Sequence, residues 1–277
     1  MDPKLKLKFY GTRGSIPISE PGFYEFGGNT TCISVTNNQN NRIAIIDAGT
    51  GIRKLGKEIE QDPSISKDIY LAFTHFHWDH IQGFPFFKPA YNPDKTLNII
   101  TMGRQRPLMN IKSLFDFQMH EVFFPVKLDE MGAKMNFLTP KDEIELFGET
   151  LVTVRKHNHP GTAYSMRLYW REKVIVICTD IEHGKKIDPR IVNLARGADI
   201  LIHDGQYTPE ELETHRGWGH SSYDQAIDVA EQAGCKMLII THHDPDHNDE
   251  FLFRIEKKCR ERFRDCLLAR EGVEFTI

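Results

Sequence analysis

Short runs of apolar, mostly β-branched residues recur along the whole chain, separated by polar and glycine-bearing stretches. Lys6–Tyr10, Cys32–Val35, Ile43–Ile46 and Leu97–Ile100 come first, then Leu151–Val154, Val174–Ile177, Ile200–Ile202 and Met237–Ile240. Such runs predict strands, and the fully apolar ones suit strands covered on both faces. Two helical stripes stand among them. Ser221 and Ser222 can cap a helix that carries Tyr223, Ala226, Ile227 and Ala230 on one face and stops at Gly234. Leu252, Ile255, Cys259 and Phe263 form another after the capping candidates Asn248 and Asp249. Both stripes read as core packing. Strands mixed with helices predict an α/β protein, and the number of strands predicts two sheets.

The strand ends carry the chemistry. Ile69–Phe73 runs into Thr74-His75, Val174–Cys178 into Thr179-Asp180, Ile200–Ile202 into His203-Asp204, and Met237–Ile240 into Thr241-His242. Four apolar runs thus end in a metal-ligand residue type, and in α/β folds such ends gather at one sheet edge. The densest stretch is Thr74-His75-Phe76-His77-Trp78-Asp79-His80. Imidazole and carboxylate suit borderline divalent metals. Strand alternation lets His75 and His77 point one way and grip one ion. A turn after His77 frees Asp79 and His80 for a second, and paired ions are built for hydrolysis.

Composition narrows the setting. With 277 residues, 40% of them apolar, and no repeat or low-complexity linker, one domain over residues 1–277 is expected. The net charge of −4 speaks against a long nucleic-acid track. Cys32, Cys178, Cys235, Cys259 and Cys266 are odd in number and form no CxxC pair, as reduced thiols do. The Met1–Lys6 segment lacks a signal-peptide core, and no run approaches a membrane span. A soluble cytoplasmic protein without membrane partners is expected.

The run His75-Phe76-His77-Trp78-Asp79-His80 matches HxHxDH, and with later residues the chain resembles a metallo-β-lactamase-fold metallohydrolase. The later residues are His159 in Asn158-His159-Pro160-Gly161, Asp180 in Cys178-Thr179-Asp180, and His242 in Thr241-His242-His243-Asp244-Pro245. The resemblance implies a four-layer αββα sandwich and a dinuclear site. It assigns His75, His77 and His159 to one ion and Asp79, His80 and His242 to the other, with Asp180 bridging. Asp79 is also carried over as a catalytic residue. His157 competes with His159, and His243 with His242; His247 reads as a loop or cap residue. Two divalent ions are implied, zinc expected, with manganese or iron as alternatives.

Leu201-Ile202-His203-Asp204-Gly205-Gln206-Tyr207 and Gly217-Trp218-Gly219-His220-Ser221-Ser222 resemble the paired acidic and GHS[ST] motifs of ribonuclease Z and cyclic phosphodiesterase-like relatives. The resemblance implies that a metal-bound hydroxide attacks phosphorus, Asp204 orients His220, and His220 protonates the leaving oxygen. The bland reading makes His220 a helix-entry residue. His159 and Asp180 are only 21 positions apart, room for one hairpin but not for the tRNA-binding arm that ribonuclease Z inserts there. A small phosphodiester such as a cyclic nucleotide is therefore expected rather than structured tRNA, an activity of the EC 3.1.4 kind. Alternatives are a thioester or lactone hydrolase, an RNA-cleaving enzyme lacking the arm, and a non-enzymatic nucleotide sensor. A homodimer is expected from the relatives.

Gly11–Pro17, Gly27–Thr31 and Asp47–Gly51 also resemble this group. They read mainly as tight turns supporting the metal loops, with Arg13 or Asn29 on a phosphate as the sharper reading. The segment 81–140 carries Phe84, Phe86, Phe87, Tyr91, Phe115, Phe117, Phe123 and Phe124. It offers a lid, a base-stacking wall, a dimer surface or ordinary core.

Overall fold

The computed structural model describes residues 4–103, 110–138, 143–146 and 150–277. Met1–Pro3 and residues 104–109, 139–142 and 147–149 lie outside, so parts of the N-terminal and aromatic-segment expectations fall beyond the described residues. Contacts divide the chain into two compact units, each built on one seven-stranded sheet.

The first unit comprises Met1–Gly11, Thr31–Lys141 and Glu274–Ile277. Its strands are β1 (Leu5–Gly11), β2 (Cys32–Asn37), β3 (Arg42–Ile46), β4 (Asp68–Phe73), β5 (Thr96–Thr101), β6 (Lys134–Leu138) and β14 (Glu274–Thr276), ordered β14-β1-β2-β3-β4-β5-β6. Strands β3 to β6 run parallel, and β14, β1, β2 and β3 pair antiparallel. Parallel strands need covering on both faces, hence the unbroken apolar runs at Ile43–Ile46 and Ile99–Ile100. Helix α1 (Ile52–Gln61) buries Ile52, Leu55 and Ile59, and α3 (Ile111–Gln118) buries Phe115. Phe84, Phe87 and Phe115 join that core, whereas Phe86, Phe117 and Phe123 are exposed. The aromatic segment is thus part core and part surface.

The second unit comprises Thr12–Thr30 and Asp142–Val273. It holds β7 (Glu143–Leu146), β8 (Thr150–His157), β9 (Ala163–Trp170), β10 (Lys173–Cys178), β11 (Ile200–Asp204), β12 (Met237–Thr241) and β13 (Cys266–Leu268), in the order β13-β12-β11-β10-β9-β8-β7. Strands β10 to β13 are parallel. Val174, Val176, Leu201, Leu238 and Ile240 pack in one core with residues of α4 (Pro189–Ala195), α6 (Tyr223–Ala233) and α7 (Asp249–Arg262). The hairpin expected between His159 and Asp180 is β9–β10.

The predicted helix signals hold. Ser222 caps α6 through Gln225 N, and Gly234 ends it at φ +65°, a left-handed conformation that glycine adopts at least cost. Asn248 caps α7 by accepting from Phe251 N at 2.9 Å. Asp249 does something else. Its carboxylate accepts the backbone N–H groups of Tyr24, Glu25 and Phe26 and so ties down that loop. All five cysteines are buried and none is in a disulfide, and among the described residues no helix is long and apolar enough to cross a membrane.

Two expectations change. Of the four ligand-bearing strand ends, β10, β11 and β12 are adjacent and parallel, but β4 belongs to the other sheet. The sharper reading of Arg13 and Asn29 also gives way. Arg13 is fully buried and donates to the carbonyls of Gly27, Asp244 and His247 at 2.7–2.9 Å. Asn29 gives its backbone N–H and its side-chain amide to the Glu271 carboxylate. A guanidinium spent on three carbonyls and an amide held by a carboxylate are poor phosphate ligands. Arg13 is instead an internal strut, held charged although burial lowers its pKa. Arg13→Met strands those carbonyls and should cost about 3 kcal/mol or more. Chemical denaturation should show it as a lower midpoint; a variant as stable as the parent would remove the strut.

Candidate metal centre and its general acid

In the first unit, the ligand run begins two residues after β4 ends at Phe73. His75 and His77 therefore lie beyond the strand, His77 in extended backbone. Their rings still come together, with centroids 4.5 Å apart. The turn expected after His77 is present: His77 is the N-cap of α2 (Trp78–Ile81), which carries Asp79 and His80. His80 sits 4.2 Å from His75, centroid to centroid. His77 is exposed; His75, Asp79 and His80 are buried.

Asp47, directly after β3, organises this run. Its carboxylate accepts Thr74 N, Thr74 Oγ1 and His80 Nδ1, each at 2.8 Å. A carboxylate can only accept here, so His80 carries its proton on Nδ1 and presents the lone pair of Nε2. That lone pair lies 3.3 Å from Asp79 Oδ2. Thr74 spends its hydroxyl proton on Asp47 and so accepts from His75 Nδ1 at 3.1 Å, which exposes the His75 Nε2 lone pair.

The second unit repeats the device. His159 follows β8 and donates Nδ1–H to Gly219 O at 2.8 Å. His242 follows β12 and holds Gln206 Oε1 through Nδ1 at 3.1 Å. The Gln206 amide nitrogen is committed to Asp244 and Tyr207, which fixes its oxygen toward His242. The Nε2 lone pair of His242 then faces Asp180 Oδ1 at 3.1 Å. Two acceptors at that distance need a proton or a cation between them. In each unit, then, a buried imidazole and a carboxylate present converging electron pairs, and such a donor set fits a divalent cation.

Backbone strain marks the same residues. Asp47, Asp180 and His242 take φ of +61°, +56° and +66°, each just beyond a parallel strand. A left-handed residue breaks the strand's alternation and redirects the side chain, at a cost that non-glycine residues rarely accept. Gly14 completes the arrangement, because a Cβ there would lie 2.3 Å from the His242 ring.

His220 lies among these donors. Its Nδ1 donates to Asp204 Oδ2 at 2.8 Å, and Asp204 Oδ1 accepts Ser221 N. Burial raises the Asp204 carboxyl, but the charge and hydrogen bond of His220 and the nearby His242 outweigh it and hold it below the ordinary value. The His220 ring stacks on His242 at 4.9 Å and meets His159 edge-on at 5.4 Å. Ligand atoms of His159, Asp180 and His220 all fall within 4.8 Å of one another. The helix-entry reading of His220 falls away, since Ser222 is the cap.

The other histidines are committed elsewhere. His157 bonds Ser165 Oγ and Asp180 O, and burial lowers its pKa to about 4. His243 bonds Ala269 O, with its pKa lowered to about 3 by burial. His247 bonds Tyr223 and Glu211. Asp47 and Gly14 stand in the turns read as supporting the metal loops, but neither they nor Gln206 were expected as site residues. Asp47 obeys the rule applied to the other strand ends, since Ile43–Ile46 also runs into an acidic residue. Gln206 stands in the acidic motif, but nothing in the residues points to its role on His242.

Comparison with known proteins agrees with this picture. The family model for the Beta-lactamase superfamily domain matches residues 42–243. A ribonuclease Z from Picrophilus torridus is 26% identical, over 100% of this chain and 97% of its own. The metallo-beta-lactamase fold protein YhfI from Bacillus subtilis superimposes with a TM-score of 0.74 at 18% identity, covering 100% of both chains. A diphosphatase from the PhnP family gives 0.70 at 19% identity, covering 98% and 97%. By the extent of the family match, the chain belongs to the Beta-lactamase superfamily domain family and has the metallo-β-lactamase fold.

Proposed function

We propose that this protein is a two-metal phosphodiesterase that hydrolyses small phosphodiesters, with His220 as general acid. The observation that carries the reading is the His220–Asp204 pair, held at 2.8 Å beside Asp180, His159 and His242. The proposal joins His75, His77, Asp79 and His80 with His159, Asp180 and His242 in one ligand set, as the family resemblance implies. Five imidazoles and two carboxylates suit zinc, with manganese or iron as alternatives. When bound, two divalent ions would polarise the phosphoryl oxygens and lower the pKa of water.

The remaining chemistry belongs to the chain. Asp204 keeps one proton on His220 Nδ1 and fixes the orientation of the ring. Nε2 then carries the proton that the departing oxygen needs. A neutral imidazole remains, still held by Asp204. An alkoxide is a poor leaving group, so the acid matters most for alkyl and nucleotide esters. A thioester hydrolase, which expels a thiolate, has less need of such a pair. The name of the ribonuclease Z relative favours RNA as a second substrate class. Against it stand the spacing of only 21 positions from His159 to Asp180, taken up by the β9–β10 hairpin, and the net charge of −4.

His220→Ala should lower turnover of a nucleotide diester roughly a hundredfold or more. A p-nitrophenyl diester, whose leaving group needs little protonation, should lose far less. Equal losses on both would remove the acid role, and faster turnover of a thioester than of any diester would replace the reading. Gly14→Ala should displace His242, and metal analysis of the purified variant should find one ion per chain where the parent holds two. A variant with the parent's metal content would remove His242 from the ligand set.

A further inference from the structure

The loop that presents His220 carries a second side chain with no part in that reaction. Trp218 stands two residues before the acid and is 62% exposed. Its backbone is firmly held. Gly217 N reaches both oxygens of the Glu182 carboxylate at 2.9 and 3.0 Å, and Gly219 N donates to Glu182 Oε2 at 2.8 Å. These two glycines have φ of +89° and +97°, and a Cβ on Gly219 would strike the His159 ring at 2.2 Å. Trp218 N donates to His215 O at 3.1 Å.

The indole is braced as well. It meets His215 edge-on at 4.8 Å, and His215 stacks on Tyr207 at 4.6 Å. Tyr207 in turn meets His220 edge-on at 6.0 Å. His215 donates Nδ1–H to Glu211 O at 2.7 Å, which fixes the bracing ring. A chain of rings therefore links the exposed indole to the general acid.

Core packing does not account for this arrangement. A tip residue in a tight turn needs no large apolar side chain, and an indole left in water gives up the burial energy it offers. A flat aromatic surface fixed in advance loses little entropy on binding, as in rigid aromatic anchors of recognition sites. Its position also selects what it meets. Two residues of chain span at most about 7 Å, a reach comparable with that from a nucleotide's phosphate to its base. His220 meets the departing oxygen, so the substituent on that oxygen extends toward the loop.

Resting on the phosphodiesterase reading, we propose that Trp218 is a specificity-determining platform that stacks the nucleobase of the substrate's leaving group. The bond broken is the same P–O bond, and the indole takes no part in proton transfer. Its effect is on binding.

The test uses the full-length, metal-replete protein with Trp218→Leu and Trp218→Phe. Calorimetric binding of adenosine monophosphate decides the platform. Trp218→Leu should weaken it about tenfold or more, the scale of one base–aromatic stack, and Trp218→Phe should recover most of the loss. Unchanged affinity in Trp218→Leu, or no binding by the parent, would overturn the platform. Turnover of 2′,3′-cyclic adenosine monophosphate and of methyl riboside 2,3-cyclic phosphate, which lacks a base, decides the reaction separately. The leucine variant should raise KM for the first by the same factor with kcat unchanged, and leave the second alone. Equal changes on both substrates would also overturn the platform. Lack of turnover of either by the parent, with Trp218-dependent nucleotide binding intact, would sink the phosphodiesterase reading and leave the platform standing.

Discussion

The site depends on one constraint: an imidazole can offer a lone pair at Nε2 only if its proton is kept on Nδ1. Five histidines keep a proton on Nδ1 through five different acceptors. Asp47 holds His80, Asp204 holds His220, Gly219 O holds His159, Gln206 holds His242, and the Thr74 hydroxyl holds His75. Carboxylates and backbone carbonyls cannot donate, so the tautomers follow from the partners. The partners need room and direction, and the left-handed residues Asp47, Asp180 and His242 supply the direction. Strain at the end of a strand is thus offset by the stiffness of the parallel sheet beneath it.

The same logic separates holding an ion from moving a proton. His80 and His220 each donate Nδ1–H to a buried aspartate at 2.8 Å. His80 Nε2 faces Asp79, whereas His220 stacks flat against His242. The carboxylate of Asp204 also accepts the backbone of the residue after His220. Position of the ring and its tautomer are therefore set by one group. Such a pair suits a residue that gives up and regains a proton at one atom.

Much of this was legible in the residues because burial writes a strong pattern. Ile43–Ile46, Val174–Ile177, Ile200–Ile202 and Met237–Ile240 are strands in parallel sheets, and continuous apolar runs are what parallel sheets require. Strand β9 mixes small, polar and aromatic residues, so only the room for a hairpin pointed to it, and the three-residue strands β13 and β14 had no signal. Helix α1 hides its stripe of Ile52, Leu55 and Ile59 behind a glycine-rich approach and an interior Gly56. For the site, spacing exposed the dense run from His75 to His80. The distant partners needed the family resemblance. Gln206 and Glu182 act through hydrogen bonds to groups far along the chain, and nothing local in their surroundings signals that.

The central claim is that seven residues hold two ions while His220 stays free of both. Crystals of metal-replete protein, with anomalous scattering recorded at the metal's absorption edge, test it most directly. The account predicts two peaks, ligated by the Nε2 atoms and carboxylates named above, with His220 Nε2 beyond bonding distance of either. A single ion, or an ion with His220 among its ligands, would contradict it.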